Sequence, residues 1–518
     1  MTIPDPTGAA GEVDESSRPA GGVASAQPAV SVSTTRGTVV RSVGWSAAGR
    51  TGAQALQFLA GLVLARLLAP EDFGLLASVY VVTGFTVLLF DMGLGAALVH
   101  QRRLTQSDLD TAFWLNALGG LVFVGILAAL GPLVADFYGD PRLTYITPLA
   151  GLGFALALNV CHSALLQREM EFKKIASVEL VCAVLGNAST IAAAVGGLGA
   201  LSLVVGPSVQ AVAMTVLMWS VVRWRPRGFV RRESVRRLWS FSGGMLGFSV
   251  VNYVGRNSDN LLIGRVLGAA PLGLYNRAYT LMLLPLQQVS QVLGRVMFPA
   301  LASLRDDPER LRRAYRRTIV VMTAVTMPVL VGMAATADGL VPILWGDQWL
   351  DTVPMLQVLC LAGLPQCLSS SEGWLYQSQG RTGTMFKVGV VSTVLTVVAI
   401  VVGLQWGVLG VAVAVFAKMW LWQPIGFRIA CGLIDLPARR VFADIARPLL
   451  VSVAMGGAVW ALPLLLPAPR DAVWVVLAQV VLGAVLYTAL LALVDRSTSR
   501  ELLGLVPRRL VPSRLRRA

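Results

Sequence analysis

Apolar blocks, each near the roughly 20 residues that carry a helix across a bilayer, follow one another from Trp45 to Val494 with short polar stretches between them. No single soluble core buries that much apolar length. Read as helices, the blocks predict an all-α membrane protein with about 14 transmembrane spans. They lie near 45–69, 73–98, 111–134, 145–167, 176–197, 200–222, 238–264, 279–302, 318–344, 353–377, 384–404, 406–427, 444–466 and 471–494. The least regular region is 318–377, where WGDQWLD (Trp345 to Asp351) interrupts the apolar run.

The polar stretches set the orientation. Those after even-numbered spans include HQRR, QREMEFKK, RWRPRGFVRRESVRR, RDDPERLRRAYRR and QGRTGTMFK, and with the two ends of the chain they hold 34 of the 43 basic residues. Those after odd-numbered spans hold five (Arg66, Arg142, Arg265, Arg277 and Arg470), and four more (Arg50, Arg256, Arg295 and Lys418) fall within spans. Basic residues are retained on the cytoplasmic side of a membrane protein, so this split predicts that both termini are cytoplasmic and that the number of spans is even. It also gives the net charge of +15 a meaning. These residues face anionic lipid rather than nucleic acid. Met1 to Thr35, rich in Pro, Gly, Ala and Ser, reads as a disordered cytoplasmic tail.

A repeat underlies the pattern. LARLLAPEDFGLL (Leu64 to Leu76) matches IGRVLGAAPLGLY (Ile263 to Tyr275) without a gap, aligning Arg66 with Arg265, Leu68 with Leu267, Gly74 with Gly273 and Leu75 with Leu274. The offset of 199 residues spans six helices, which returns the chain to the same side. The expected architecture is two parallel six-helix bundles in a V, plus two C-terminal helices, with a substrate path between the bundles. Its parts are a tail (1–42), a first bundle (43–222), a basic cytoplasmic loop (223–237), a second bundle (238–430), two extra spans (431–495) and a basic tail (496–518). Arg66 and Arg265 sit at the outer membrane edge beside Gly-containing turns. Either they snorkel to the interface or they belong to an outer gate.

Charges inside spans are expensive and tend to face a cavity or a partner. The densest group is in the seventh span: Asn252, Arg256, Asn257, Asp259 and Asn260. The i,i+3 spacing of Arg256 and Asp259 allows a local ion pair. The alternative is a polar strip in a wet cavity, shared with Arg295, Lys418, Arg50 and Gln54, which suits phosphate or acidic sugar because guanidinium groups grip phosphate oxygens bidentately. Asp91, at the end of the second span, serves either as a structural charge or in ion coupling. His100 and His162 are expected at the interface.

Several classes are excluded. The five cysteines lie in or beside apolar segments with no CxxC pair and no Cys/His cluster, so neither a metal nor another cofactor is expected. No GxxxxGK[ST], HExxH or GxSxG motif occurs, and the connections are too short for a catalytic domain. The chain reads as a transporter, not an enzyme, driven by something other than ATP bound to itself.

Five segments carry a resemblance. DMGLGAALVHQRRLTQSDLDTAFWLN (Asp91 to Asn116), ALLQREMEFKK (Ala164 to Lys174), NSDNLLIGRVLGAAPLGLYNRAY (Asn257 to Tyr279), FPALASLRDDPERLRRAYRR (Phe298 to Arg317) and WGDQWLDTVPMLQVL (Trp345 to Leu359) closely resemble bacterial polysaccharide transporters. The likeness is to the lipopolysaccharide-biosynthesis, colanic-acid-exporter-like branch of the multidrug/oligosaccharidyl-lipid/polysaccharide exporter superfamily, from about Val43 to Val494. It implies a monomeric flippase in the bacterial inner membrane, with an undecaprenyl-diphosphate-linked oligosaccharide as substrate, H+ or Na+ as coupling ion, and polymerase or glycosyltransferase partners. A lipid II flippase for peptidoglycan and an ion-coupled multidrug exporter share the architecture. The second would favour an acidic cavity, whereas this chain places cations in its spans.

Overall fold

Residues 36–90, 95, 98, 99, 101, 104–231, 246–466 and 469–495 are described by the computed structural model. Before the 232–245 stretch the helices are α1 (Arg36–Leu67), α2 (Pro70–Phe90), α3 (Gln106–Tyr138), α4 (Leu143–Ala155), α5 (Val160–Arg168), α6 (Phe172–Val195) and α7 (Ser202–Val221). After it come α8 (Leu246–Leu267), α9 (Ala269–Ser303), α10 (Pro308–Trp345), α11 (Thr352–Gln366), α12 (Ser369–Ser378), α13 (Thr382–Gly403), α14 (Gly407–Gly432), α15 (Ala438–Leu465) and α16 (Val473–Val494). Among the described residues there is no strand. Among the described residues nine helical runs are long and apolar enough to cross a bilayer, so the protein is a multi-pass membrane protein.

Corresponding points in the two groups are built alike. The predicted fourth and tenth spans each arrive as a helix pair, α4–α5 and α11–α12. The break at 156–159 is tolerated in apolar surroundings because side chains satisfy its backbone: Asn116 donates to the Ala157 carbonyl, and the Thr215 hydroxyl bridges the Leu156 carbonyl and the Leu158 N–H. Each pair then turns into the next helix through one left-handed residue, Met170 (φ 58°) or Gly380 (φ 68°). The closing bonds match: Met170 and Glu171 N–H donate to the Gln167 and Leu166 carbonyls, and Gly380 and Arg381 N–H to those of Gln377 and Tyr376. The next connections, α6 to α7 and α13 to α14, both pass through a single 3₁₀ turn, Gly199–Leu201 and Leu404–Trp406.

Two expectations need correction. The stretch from Arg305 to Arg317 was expected as a loop, but α10 already begins at Pro308. Asp307 caps it by accepting from the Arg310 N–H at 3.1 Å, and proline suits the first helical turn. Arg277 was expected in a connection, yet α8 and α9 are joined by Gly268 alone (φ 90°), so Arg277 falls inside α9. The left-handed conformation available to glycine makes that one-residue corner possible.

The last two helices pack on α10. Arg316 donates to Asp444 of α15 at 2.7 Å, a side chain on Gly456 would overlap Val331, and the Tyr487 hydroxyl of α16 donates to the Ala324 carbonyl at 2.6 Å. All five cysteines are buried and free, as small apolar residues would be.

Candidate functional site

The two halves meet along a seam whose contacts are reciprocal. A side chain on Gly74 would overlap the Ala269 carbonyl, and one on Gly273 would overlap the Pro70 carbonyl. Pro70 and Ala269 are themselves related by the 199-residue offset, so α2 and α9 cross about an approximate two-fold axis. Glycine is required here by close helix approach rather than by a turn, which corrects the turn-based reading of both residues.

The repeated arginines follow the same symmetry. The Arg66 guanidinium donates to the Ile343 carbonyl near the C-terminus of α10, and Arg265 donates to the Phe137 carbonyl near the C-terminus of α3 at 2.5 Å. Each therefore reaches from its own half to a helix end of the other, where unsatisfied carbonyls and the helix dipole favour a cation. WGDQWLD adds to the clasp: Gln348 and Trp349 donate to the Ala65 carbonyl at 2.7 Å each. Trp349 also meets the Phe73 ring edge-on, and the Arg277 guanidinium lies 3.7 Å from the centre of that ring. The seam continues to the Tyr253 hydroxyl, which donates to the Tyr80 and Val81 carbonyls where Gly84 leaves room for it. That point lies about 21 Å along α2 from Pro70 at 1.5 Å per residue.

The predicted polar strip on α8 is only partly assembled. Asp259 accepts from the adjacent Asn260 N–H at 2.8 Å, and Asn276 of α9 donates to Asn260 at 3.3 Å. Asn257 donates back to the Tyr253 carbonyl of its own helix. The Arg256–Asp259 ion pair is not formed: among the described residues Arg256 has no ion pair, and its side chain is exposed. Intrahelical and backbone bonds satisfy Asp259 and its neighbours, which leaves the guanidinium free. Gln54 and Arg295 are likewise exposed. The side chains of Arg50 and Asn252, and Asp91 altogether, lie outside the described residues.

Lys418 departs from the expected cationic cavity. It is buried in the second half, where its ammonium donates to the Ser392 hydroxyl at 3.0 Å. Nearby stands Glu372, 8% exposed, a carboxylate that hydropathy alone does not single out. Gln423 donates to the Glu372 carboxylate, and Ser369 donates to Gln423 at 2.9 Å. These groups, with Tyr376, Thr393 and Trp422, line a cavity of about 250 Å³, into whose wall the Tyr376 hydroxyl is buried without a hydrogen-bond partner. The available signal was SSSEGWLYQS, a polar string at the predicted end of a span whose glutamate belongs inside the bundle. His162, expected at the interface, is fully buried, stacked on Trp219 and edge-on to Trp224. Among the described residues no group of three or more His, Cys, Asp or Glu is placed to hold a metal.

Residues 63–354 match the family model described as "Polysaccharide biosynthesis protein". The lipopolysaccharide biosynthesis protein WzxC of Escherichia coli (strain K12) is 30% identical over 374 residues, covering 71% of this chain and 75% of that protein. The succinoglycan biosynthesis transport protein ExoT of Rhizobium meliloti (strain 1021) is 29% identical over 90% of this chain and 95% of its own. Among solved structures, the lipid II flippase MurJ in an inward closed conformation superposes with a TM-score of 0.67 at 13% identity, over 88% of this chain and 99% of MurJ. An inward-facing multidrug resistance MATE family transporter gives 0.56 at 14% identity, over 76% and 95%. These two structures establish the fold they share with this chain.

Proposed function

The chain belongs to the polysaccharide biosynthesis protein family, and we propose that it flips undecaprenyl-diphosphate-linked oligosaccharide repeat units from the cytoplasmic to the outer leaflet for surface polysaccharide synthesis. The observation that carries the reading is the reciprocal seam in a chain whose relatives include a succinoglycan transport protein. Two parallel six-helix bundles in a V, followed by two further helices, are the architecture it implies. With the basic stretches cytoplasmic, the seam end at Arg66 and Arg265 is the outer end, and this arrangement is closed to the outside.

The mechanism follows from solvation. The lipid tail stays in hydrocarbon, while the sugar diphosphate needs a polar, cationic path. Arg256, Arg295, Gln54 and Arg50 supply it, with Asn252, Asn257 and Asp259 along α8. Rocking of the halves about the site exchanges access, and opening outward releases the Arg66 and Arg265 clasps. We assign coupling to a proton taken up at Glu372. An ammonium, Lys418, already shares its surroundings, which disfavours a bound metal cation. Glu372 also faces Tyr315, Tyr376 and Cys431. Asp91 is the alternative coupling carboxylate.

The test is deletion of the gene followed by complementation. Surface polysaccharide is expected to disappear while the lipid-linked repeat unit accumulates, and the wild-type gene restores both. Normal surface polysaccharide in the deletion strain overturns the reading. Loss of viability with accumulated lipid II instead identifies a peptidoglycan flippase.

A further inference from the structure

The segment after α7, RWRPRGFVR (Arg223 to Arg231), is an extended strap rather than a slack loop. Its residues alternate: Trp224, Pro226 and Gly228 are half-buried against the first half, whereas Arg223, Arg225, Arg227 and Phe229 are exposed, Phe229 at 79%. Extended backbone has this period of two.

The inner side is held to the N-terminal turns of α3 by a row of hydrogen bonds. Trp224 donates to Gln106 at 3.0 Å, Gln106 to the Arg225 carbonyl at 3.2 Å, and Trp114 to the Gly228 carbonyl at 2.8 Å. The Arg227 N–H donates to Asp110 at 3.0 Å and the Arg231 N–H to Thr111 at 3.1 Å. Phe229 stacks on Trp114, and Trp224 packs on His162. Arg225 is committed to the scaffold: it donates to the Val222, Trp224 and Trp219 carbonyls and lies over the Trp219 ring. The guanidinium groups of Arg223, Arg227 and Arg231 have no such partner among the described residues.

We propose that this strap is a binding ridge for anionic phospholipid headgroups of the cytoplasmic leaflet, with the exposed edge of Phe229 inserted at the interface. The statement rests on the topology above, which places the strap on the cytoplasmic side. A fixed backbone displays the three free arginines four residues apart, roughly 13 Å along an extended chain, as a preorganised row, and an anionic surface attracts each of them. Lipid is favoured over the transported diphosphate because the strap lies on α3, α5 and α7. The path residues stand on α1, α8 and α9, and the Arg265 clasp takes the opposite, C-terminal end of α3. Since the strap leads from the first half toward α8, headgroups held there anchor the first half against the moving second one.

The experiment measures binding of a fluorescent phosphatidylglycerol to the full-length protein in phosphatidylcholine–detergent micelles. Wild type is expected to prefer phosphatidylglycerol, with salt-sensitive affinity. Arg223→Gln/Arg227→Gln/Arg231→Gln should weaken binding by roughly fivefold per arginine removed. A control removing three exposed arginines elsewhere on the predicted cytoplasmic side, Arg310→Gln/Arg313→Gln/Arg440→Gln, should lose less than half as much on a logarithmic scale. Trp114→Phe keeps every charge and the ring but frees the Gly228 carbonyl, and it should weaken binding severalfold at unchanged thermal stability. Equal losses in the strap and control variants overturn the proposal, as does displacement of the lipid by millimolar pyrophosphate, which would mark a diphosphate site instead. No readout depends on transport, so failure here leaves the flippase reading intact, and failure of that reading leaves the ridge intact.

Discussion

In the first half His162 stands six residues before the end of α5, and in the second half Glu372 stands six residues before the end of α12. The two helices lead into the same left-handed turn, so the positions correspond. Their surroundings do not. His162 is closed in by two tryptophans, with both ring nitrogens unpartnered, whereas Glu372 meets Gln423 in the wall of a cavity near Lys418. One scaffold position is spent on rigid packing in one half and on a charge in the other. The backbone plan is shared, and the side chains divide structural and energetic work between the halves.

The largest effect is expected where that division is sharpest. Glu372→Gln should keep normal membrane abundance yet slow transport. A step that moves one charge through 100 mV draws on about 2.3 kcal/mol, roughly fiftyfold in rate. Accumulation of lipid-linked intermediate reports it, and wild-type transport by this variant would remove the proton from Glu372. Next come the seam glycines. Gly74→Val and Gly273→Val should each cost about 1–3 kcal/mol through overpacking, read as a lowered melting temperature. Reciprocity demands similar values, and a large disparity would break the two-fold relation.

Removing a clasp is milder because both arginines are exposed. Arg66→Gln and Arg265→Gln should each cost about 1 kcal/mol, and the pair should speed labelling of a cysteine placed beside Phe73 more than either alone. His162→Phe, which keeps an aromatic ring between the tryptophans, should change stability by less than about 1.5 kcal/mol and leave transport intact. Smallest is a pH effect at the corner beyond α3. The Arg142 guanidinium beside Asp140 holds its carboxyl below the usual 3.8. This contribution is present at neutral pH and fades as pH falls through the folded value. Arg142→Gln should flatten that acid limb by no more than about 1 kcal/mol, since the group is solvent-screened.

How far the sequence alone reaches differs between backbone and side chains. The repeat was legible because Arg66 and Arg265, with Gly74 and Gly273, keep the same spacing without a gap at the ends of apolar runs six spans apart. That the glycines serve a crossing was not, since a close approach involves a partner helix nearly 200 residues away. Hydropathy marked the 318–377 region as irregular, and the structure resolves it into a helix, a 3₁₀ turn and a broken pair. Of the two readings the spacing left open, the Arg256–Asp259 pair does not form, because spacing on one helix says nothing about competing neighbours, here the Asn260 N–H. Glu372 escaped notice because a carboxylate near a span end looks interfacial until helix packing shows it buried. Lys418 reads as one more cation for the substrate, although the groups it meets, Ser392 and Glu372, lie in its own half of the chain.

The single-residue corner at Gly268 has a mechanical consequence. With no slack between them, α8 and α9 behave as the two arms of a crank: a tilt imposed on one is handed to the other. The corner sits at the clasped end, so it acts as a fulcrum rather than as a moving edge. A rotation of 10° there displaces the far end of α8, about 33 Å long, by roughly 6 Å. Motion that is barely visible at the arginine clasps thus becomes a doorway at the opposite face, where a bulky headgroup has to enter.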